Sequence, residues 1–284
     1  MRQGWARLVT VLGVIVGLSV VAWWWPTGPR LTVAEVTGTA TLSRVGADRT
    51  LEAREGTALQ AADHVRTGEG AEAVLQFGPS TQIRVGPTSS VEVASVDEAG
   101  LSLELDEGSV RAIVRPDSGQ VRIGNQGRSA TTGDGEVAVG VRDGVLQIRA
   151  IEGEVALEGV DRDRLVQGEQ AVVEGGRTRV GKVPSSLLLS VVAPEVTRTA
   201  SHTHVVRGQT APGARVVLKG PAGTDRVRAD ATGHFEVAVE LAEGENEAVV
   251  EASDVFGTTR RAEVTLPVRD TQGPVVRGDV EYPK

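Results

Sequence analysis

Past Arg30 the chain alternates apolar and polar residues in short runs, and Gly, Pro, Asp or Ser bounds nearly every run. This pattern constrains the fold more than any other feature. A period of two places apolar side chains on one face of a strand. No window past Arg30 keeps the i, i+3, i+4, i+7 spacing of a helix for three turns. The clearest runs are Ala71–Phe77, Thr81–Val85, Ser90–Ala94, Leu101–Leu105, Ser109–Val114, Glu136–Val141, Val145–Ala150 and Ala171–Glu174. Gly78-Pro79-Ser80 supplies a turn between the first two. With 35 Gly and 12 Pro, about one residue in six interrupts regular structure, too often for long helices. The body is therefore predicted to be all-β.

Composition narrows the chemistry. The 284 residues include no Cys, which excludes disulfides, thiol nucleophiles and Cys-based metal sites. Four of the eight aromatic residues are Trp within the first 25 positions, and beyond them only Phe77, Phe235, Phe256 and Tyr282 remain. Val, Leu, Ile and Ala must build the core. Arg2, Arg7 and Arg30 give residues 1–30 a charge of +3 without an acid. That leaves 27 of the 30 basic residues against all 38 acids, so the remainder carries −11. An acidic body repels phosphate backbones, which argues against a nucleic-acid partner.

The N-terminus reads as a membrane anchor. Leu8 to Trp25 is a charge-free run of 18 residues, roughly 27 Å as a helix, against the ~30 Å of a bilayer core. Arg2 and Arg7 before it place the N-terminus in the cytoplasm and the body in the periplasm. Trp23, Trp24 and Trp25 suit the far interface, and Pro26 and Pro29 end the helix. The alternative is a cleaved signal peptide, with Val20-Val21-Ala22 as a loose cleavage site. Both readings export residues 31–284.

One short echo stands out. Leu103–Ala112 and Ile148–Leu157 each carry an alternating run, then Glu-Gly-x-Val, then another run, with Gly108 and Gly153 45 positions apart. Each is expected to be a hairpin whose Gly supplies the positive φ of a tight turn. A β-roll or sandwich of similar hairpins would follow.

These residues fall in a familiar order. Leu59 to Gly68, Gly70 to Phe77, Thr81 to Val85, Ser90 to Val93, Leu103 to Val110, Val145 to Leu157 and Leu165 to Val172 follow the spacing of one known pattern. Over residues about 35–180 the chain resembles the FecR domain, the periplasmic module of ferric-citrate-type transmembrane regulators. Two turns depart from the family's pattern, at Gly78-Pro79-Ser80 and Gly133-Asp134-Gly135. The resemblance implies signal relay by protein contact in the periplasm. Such regulators also hold a sigma factor on a long cytoplasmic segment. The seven residues Met1–Arg7 are too few for that, so direct sigma-factor control is not expected of this chain.

From about residue 193 the turns change character: Ala211-Pro212-Gly213, Thr232-Gly233, Glu243-Gly244 and Asp254 to Gly257 punctuate short strands at a spacing of about 10–15 residues. This part resembles bacterial immunoglobulin-like repeats. The expected organisation is an anchor over 1–30, a FecR-like domain over 31–180, a linker over 181–192, an immunoglobulin-like sandwich over 193–268 and a tail over 269–284.

Catalytic signals are weak. His202-Thr203-His204 lacks a third metal ligand. Asp161-Arg162-Asp163-Arg164 interleaves Arg where a calcium loop needs acids, and reads as a charge-paired turn. Gly-x-Ser-x-Gly, phosphate-loop and dinucleotide motifs are absent from the sequence. The expectation is a non-enzymatic, single-pass inner-membrane protein without cofactor or metal, binding an envelope protein. Leu8, Trp23, Trp24 and Trp25 are its anchor residues. The contact is expected at a sheet edge among Ala71–Phe77, Ser90–Ala94 and Val145–Ala150 that accepts a partner's strand. The alternative is a cell-wall or polysaccharide binder, with carbohydrate as partner. Against it stands a body without Trp and with Tyr282 alone, since sugar faces stack on such rings.

Overall fold

The computed structural model describes residues 29–271, apart from 45, 47–49, 185–186 and 231. The expected anchor, with Leu8, Trp23, Trp24 and Trp25, lies outside the described residues. Among the described residues no helix is long and apolar enough to cross a membrane. Among these residues strands dominate, and one 3-10 turn, Pro116–Ser118, interrupts them.

The first body is a 16-stranded sheet folded into two facing layers. The antiparallel layer I runs, neighbour to neighbour, through Leu31–Thr37, Glu72–Phe77, Thr81–Val85, residues 108–114, Gly135–Arg142, residues 145–153, Glu169–Glu174 and Arg177–Lys182. Layer II joins Ala40–Ser43, His64–Thr67, Ser90–Val96, residues 100–107, Gln120–Asn125, Arg128–Thr132 and residues 154–158. Gln120–Gly124 pairs in parallel with Gly100–Glu104, within otherwise antiparallel neighbours. Phe77, Leu75, Ile83, Leu103, Ile123 and Ile148 are buried between the layers. Each such side chain contributes about 1.5–3 kcal/mol of apolar burial.

Two long strands belong to both layers, and here the echo has a different meaning from the one its sequence suggests. Gly100–Val114 pairs in layer II up to Glu107 and in layer I from Gly108. Val145–Glu158 pairs in layer I up to Gly153 and in layer II from Glu154. Glu107-Gly108-Ser109-Val110 and Glu152-Gly153-Glu154-Val155 are thus not hairpin turns. They are corners at which one continuous strand changes sheets. Both glycines do take positive φ, 93° and 77°. The ladders slip a register step beside them, between Ser90 and Val91 and between Glu136 and Val137. A bulge of this kind bends a strand without ending it. A Cβ on Gly108 would overlap Ser89, so the first corner is also closed to larger residues.

The second body is a sandwich of a 3-stranded and a 5-stranded sheet. Ser190–Val191, Thr203–Gln209 and His234–Glu240 form the smaller sheet. Arg198–Thr199, Thr259–Arg269, Gly244–Ser253, Arg215–Lys219 and Thr224–Arg228 form the larger. Val206, Phe235, Val237, Leu218, Val250 and Leu266 pack between them. His234–Glu240 shows the unmixed alternation of a half-buried strand, exposed at every even position and buried at every odd one. The segment read as a linker contributes to both bodies: Gly181 and Lys182 end the last strand of layer I, Leu187 enters the second core, and Ser190 and Val191 pair with Gln209 and Gly208.

Candidate functional site

Strand Gly135–Arg142 is buried on both faces, unlike a strand with one face to solvent. Val137, Val139 and Val141 point into the core between the layers. On the opposite face Glu136, Ala138 and Gly140 are also covered, and the second body supplies the cover at Gly140. A Cβ there would overlap Val255 and crowd the Phe256 ring, so only Gly allows this approach. On the neighbouring strand, Gln147 Nε2 donates to the Pro212 carbonyl at 2.6 Å. Gln147 is 2% exposed.

A buried ion pair fixes the centre of the joint. Arg149 and Asp254 meet at 3.3 Å, with side chains 13% and 4% exposed. The Arg149 guanidinium also stacks 4.0 Å from the Phe256 ring centre, and its Nε donates to Gln170 Oε1 at 3.2 Å. Burial lowers the pKa of Arg149, opposed by the Asp254 charge and hydrogen bond. Asp254 holds its own turn as well, since its Oδ1 accepts from the amides of Phe256 and Thr258 at 3.0 and 2.8 Å. The pair therefore joins a loop of the second body to the outer face of the first.

Beside the joint, the two bodies enclose an open cleft of about 500 Å³. Arg142 from the first body and Arg215, Arg226 and Arg228 from the second line it, with Glu107 and Asp143. Arg142 Nη1 donates to the Asp254 carbonyl at 2.9 Å. Arg228 donates to the Asp143 carbonyl at 2.7 Å and pairs with Glu174 at 3.1 Å. Burial lowers the pKa of Arg142; Asp254 and Asp143 oppose this, while the like charge of Arg215 adds to it.

Sheet edges are the other candidate surface, and the three expected segments do not supply one. Glu72–Phe77 lies between Leu31–Thr37 and Thr81–Val85. Ser90–Val96 lies between His64–Thr67 and Gly100–Val114, and the Val145–Ala150 stretch lies between Gly135–Arg142 and Glu169–Glu174. Alternation marks a strand but does not tell its place in a sheet, so sequence could not separate edge from centre. Layer I ends instead on Arg177–Lys182, which pairs with Glu169–Glu174 alone among the described residues. Gly175 and Gly176, at φ 55° and 79°, close a two-residue hairpin in which Glu174 faces Arg177. The residues flanking such a turn exchange both backbone hydrogen bonds. The amides of Thr178, Val180 and Lys182 then point away from the ladder. The edge is almost wholly exposed.

The remaining polar residues are dispersed. Arg162 pairs with Glu169 at 2.9 Å and Arg164 with Glu154 at 3.2 Å, a charge-paired turn as the sequence suggests. His64 stands 3.9 Å from Glu92, and the His234 ring meets the Thr232 hydroxyl at 2.8 Å. Burial and the Arg207 charge lower the pKa of His204. Among the described residues no three His, Asp or Glu side chains group as metal ligands would.

Residues 63–156 match the model of the FecR protein family. The matched stretch lies within the first body and takes in both of its corners, at Gly108 and Gly153. Crystal structures of a candidate anti-sigma factor from Parabacteroides distasonis align at 13% identity and a TM-score of 0.38, covering 42% of this chain and 59% of that one. The alignment thus spans less than two thirds of that protein. A structure of a 1.5-MDa bacterial ice-binding adhesin aligns at 16% identity and a TM-score of 0.23, over 84% of this chain and 87% of the other. Likenesses this distant carry no argument about fold or function. No curated protein matches the sequence.

Proposed function

We propose that the chain is a non-enzymatic, membrane-anchored periplasmic protein that binds a protein partner in envelope signalling or assembly. The FecR domain at residues 63–156 carries this reading, because that family is one of regulators. The charge-free run Leu8–Trp25 supports the anchor. The second body, a two-sheet sandwich, acts in this reading as an immunoglobulin-like module docked on the FecR domain. Of the eight aromatic residues, Phe77 and Phe235 are buried and Phe256 is covered by Arg149, which supports a protein over a carbohydrate partner.

The contact in this reading is strand addition at Arg177–Lys182, whose free amides offer affinity without special side chains. Arg177, Arg179 and Lys182 would favour an acidic partner strand. In vivo crosslinking of the full-length protein, followed by mass spectrometry, tests both steps. The expected result is one dominant envelope protein with the parent, lost in Val180→Pro. Pro at 180 removes an outward donor and leaves the hairpin ladder paired. Capture undiminished in a folded Val180→Pro would refute the edge. Recovery of cell-wall glycan alone would refute the protein partner.

A further inference from the structure

The cleft beside the joint concentrates positive charge on a chain of net charge −8. Four arginines line it against two carboxylates, Glu107 and Asp143, leaving a wall of +2. Two of the four are fixed in place. Arg142 is tied to the Asp254 carbonyl, and Arg228 is tied to the Asp143 carbonyl and to Glu174. The other two differ. Among the described residues Arg215 and Arg226 form no ion pair and no side-chain hydrogen bond. Strand register sets them together, since Arg215 faces Arg228 and Val217 faces Arg226, which puts all three arginines on one face of the sheet.

Like charges repel, so such a group is stabilised by an anion. We propose that this cleft binds a phosphate monoester, gripped by Arg215 and Arg226 and oriented by the fixed Arg142 and Arg228. A monoester carries about −1.5 to −2 at neutral pH, which matches the two arginines left without a partner. The guanidinium fork offers paired donors to phosphate oxygens. The cleft's size admits a group of a few tens of atoms at most, such as a sugar phosphate or a lipid headgroup. Its two walls come from different bodies, so ligand binding would also strengthen their docking.

Calorimetry on the full-length protein in neutral detergent tests this, with inorganic phosphate and glucose 1-phosphate as probes. Saturable binding is expected, and the double variant R215Q/R226Q should weaken it about tenfold or more, the worth of one charge-assisted hydrogen bond. The variant R54Q, at an exposed ion pair with Glu52 that does not line the cleft, should bind as the parent does. Micelles of the same detergent with and without short-chain phosphatidic acid separate the sources. Heat of binding to phosphatidic acid that depends on Arg215 and Arg226 assigns a lipid headgroup, whereas binding of glucose 1-phosphate without it assigns a soluble ester. The proposal is overturned if neither the probes nor phosphatidic acid bind, if R215Q/R226Q binds them as the parent does, or if succinate binds as tightly as phosphate.

Discussion

The two bodies use the same alternation and bury it differently. In the sandwich, His234–Glu240 hides one face and leaves the other in water. In the FecR-containing body, Gly135–Arg142 hides both. The difference lies in the outward residues. The sandwich strand sets His234, Glu236, Ala238 and Glu240 outward, whereas the other sets out Glu136, Ala138, Gly140 and Arg142. Small side chains let the second body approach, and the flanking Arg149 and Gln147 tie down two of its loops, at Asp254 and Pro212. A strand with small residues on its polar face thus reads as a docking strand.

The second core can be broken at a single side chain. Phe235 is 3% exposed at its centre. Phe235→Ala should cost about 3–5 kcal/mol. Calorimetric melting should show the loss in the sandwich, with the first body's transition preserved. A loss below about 1 kcal/mol would place Phe235 outside the core's main load.

Arg149→Ala acts on the joint instead. It leaves Asp254 buried without its partner, and breaking a buried pair costs about 3 kcal/mol or more. Urea melting should then split into two transitions where the parent shows closer coupling. A melting profile unchanged from the parent's would mean the pair does not couple the bodies.

Gly153→Ala tests the second corner of the first body. It forces a Cβ onto a residue at φ 77° and toward the Asp134 carbonyl. A cost of about 1–3 kcal/mol is expected from strain of this kind. The same change at Gly181, which has open space and no positive φ, should be nearly neutral. Equal effects at both positions would remove the corner's special role.

The smallest effect is on pH. Asp230 is exposed; the slight desolvation at its site raises its pKa, but hydrogen bonds from Thr232 and His234 outweigh this and hold it below its ordinary value of 3.8. Its contribution is therefore full above that value and is lost as pH falls through the lowered one. Asp230→Asn should flatten the acid limb of the sandwich's stability profile and leave the first body's profile alone. An identical acid limb in parent and variant would contradict it.

Much of this was legible in advance. The alternating runs marked real strands, and Thr81–Val85 has the predicted bounds. Phe235 was identifiable as core because it follows the Gly233 turn in a strand of strict alternation. The corners were visible as a repeated motif but misread, because Gly at positive φ serves a bulge and a turn equally well. Gln120–Asn125 and Arg128–Thr132 were missed; Val121, Ile123 and Ala130 are their only large or small aliphatic residues, too few to show a period, and the first of them pairs in parallel with a distant strand. The cleft was invisible for a similar reason. Arg142 and Arg215 are far apart in the chain, and only the docking of Val255 on Gly140 brings their walls together.

The two bodies are docked as one unit through Gly140 and the Arg149–Asp254 pair. With no Cys in the sequence, single cysteines at exposed Glu98 and Asp225 can carry spin labels without background. Pulsed electron paramagnetic resonance then reads the distance between the bodies directly. A single narrow distribution is predicted for the parent, broadening in Gly140→Val, where the added methyls meet Val255 and Phe256. A broad distribution in the parent, or one that Gly140→Val leaves unchanged, would contradict the account.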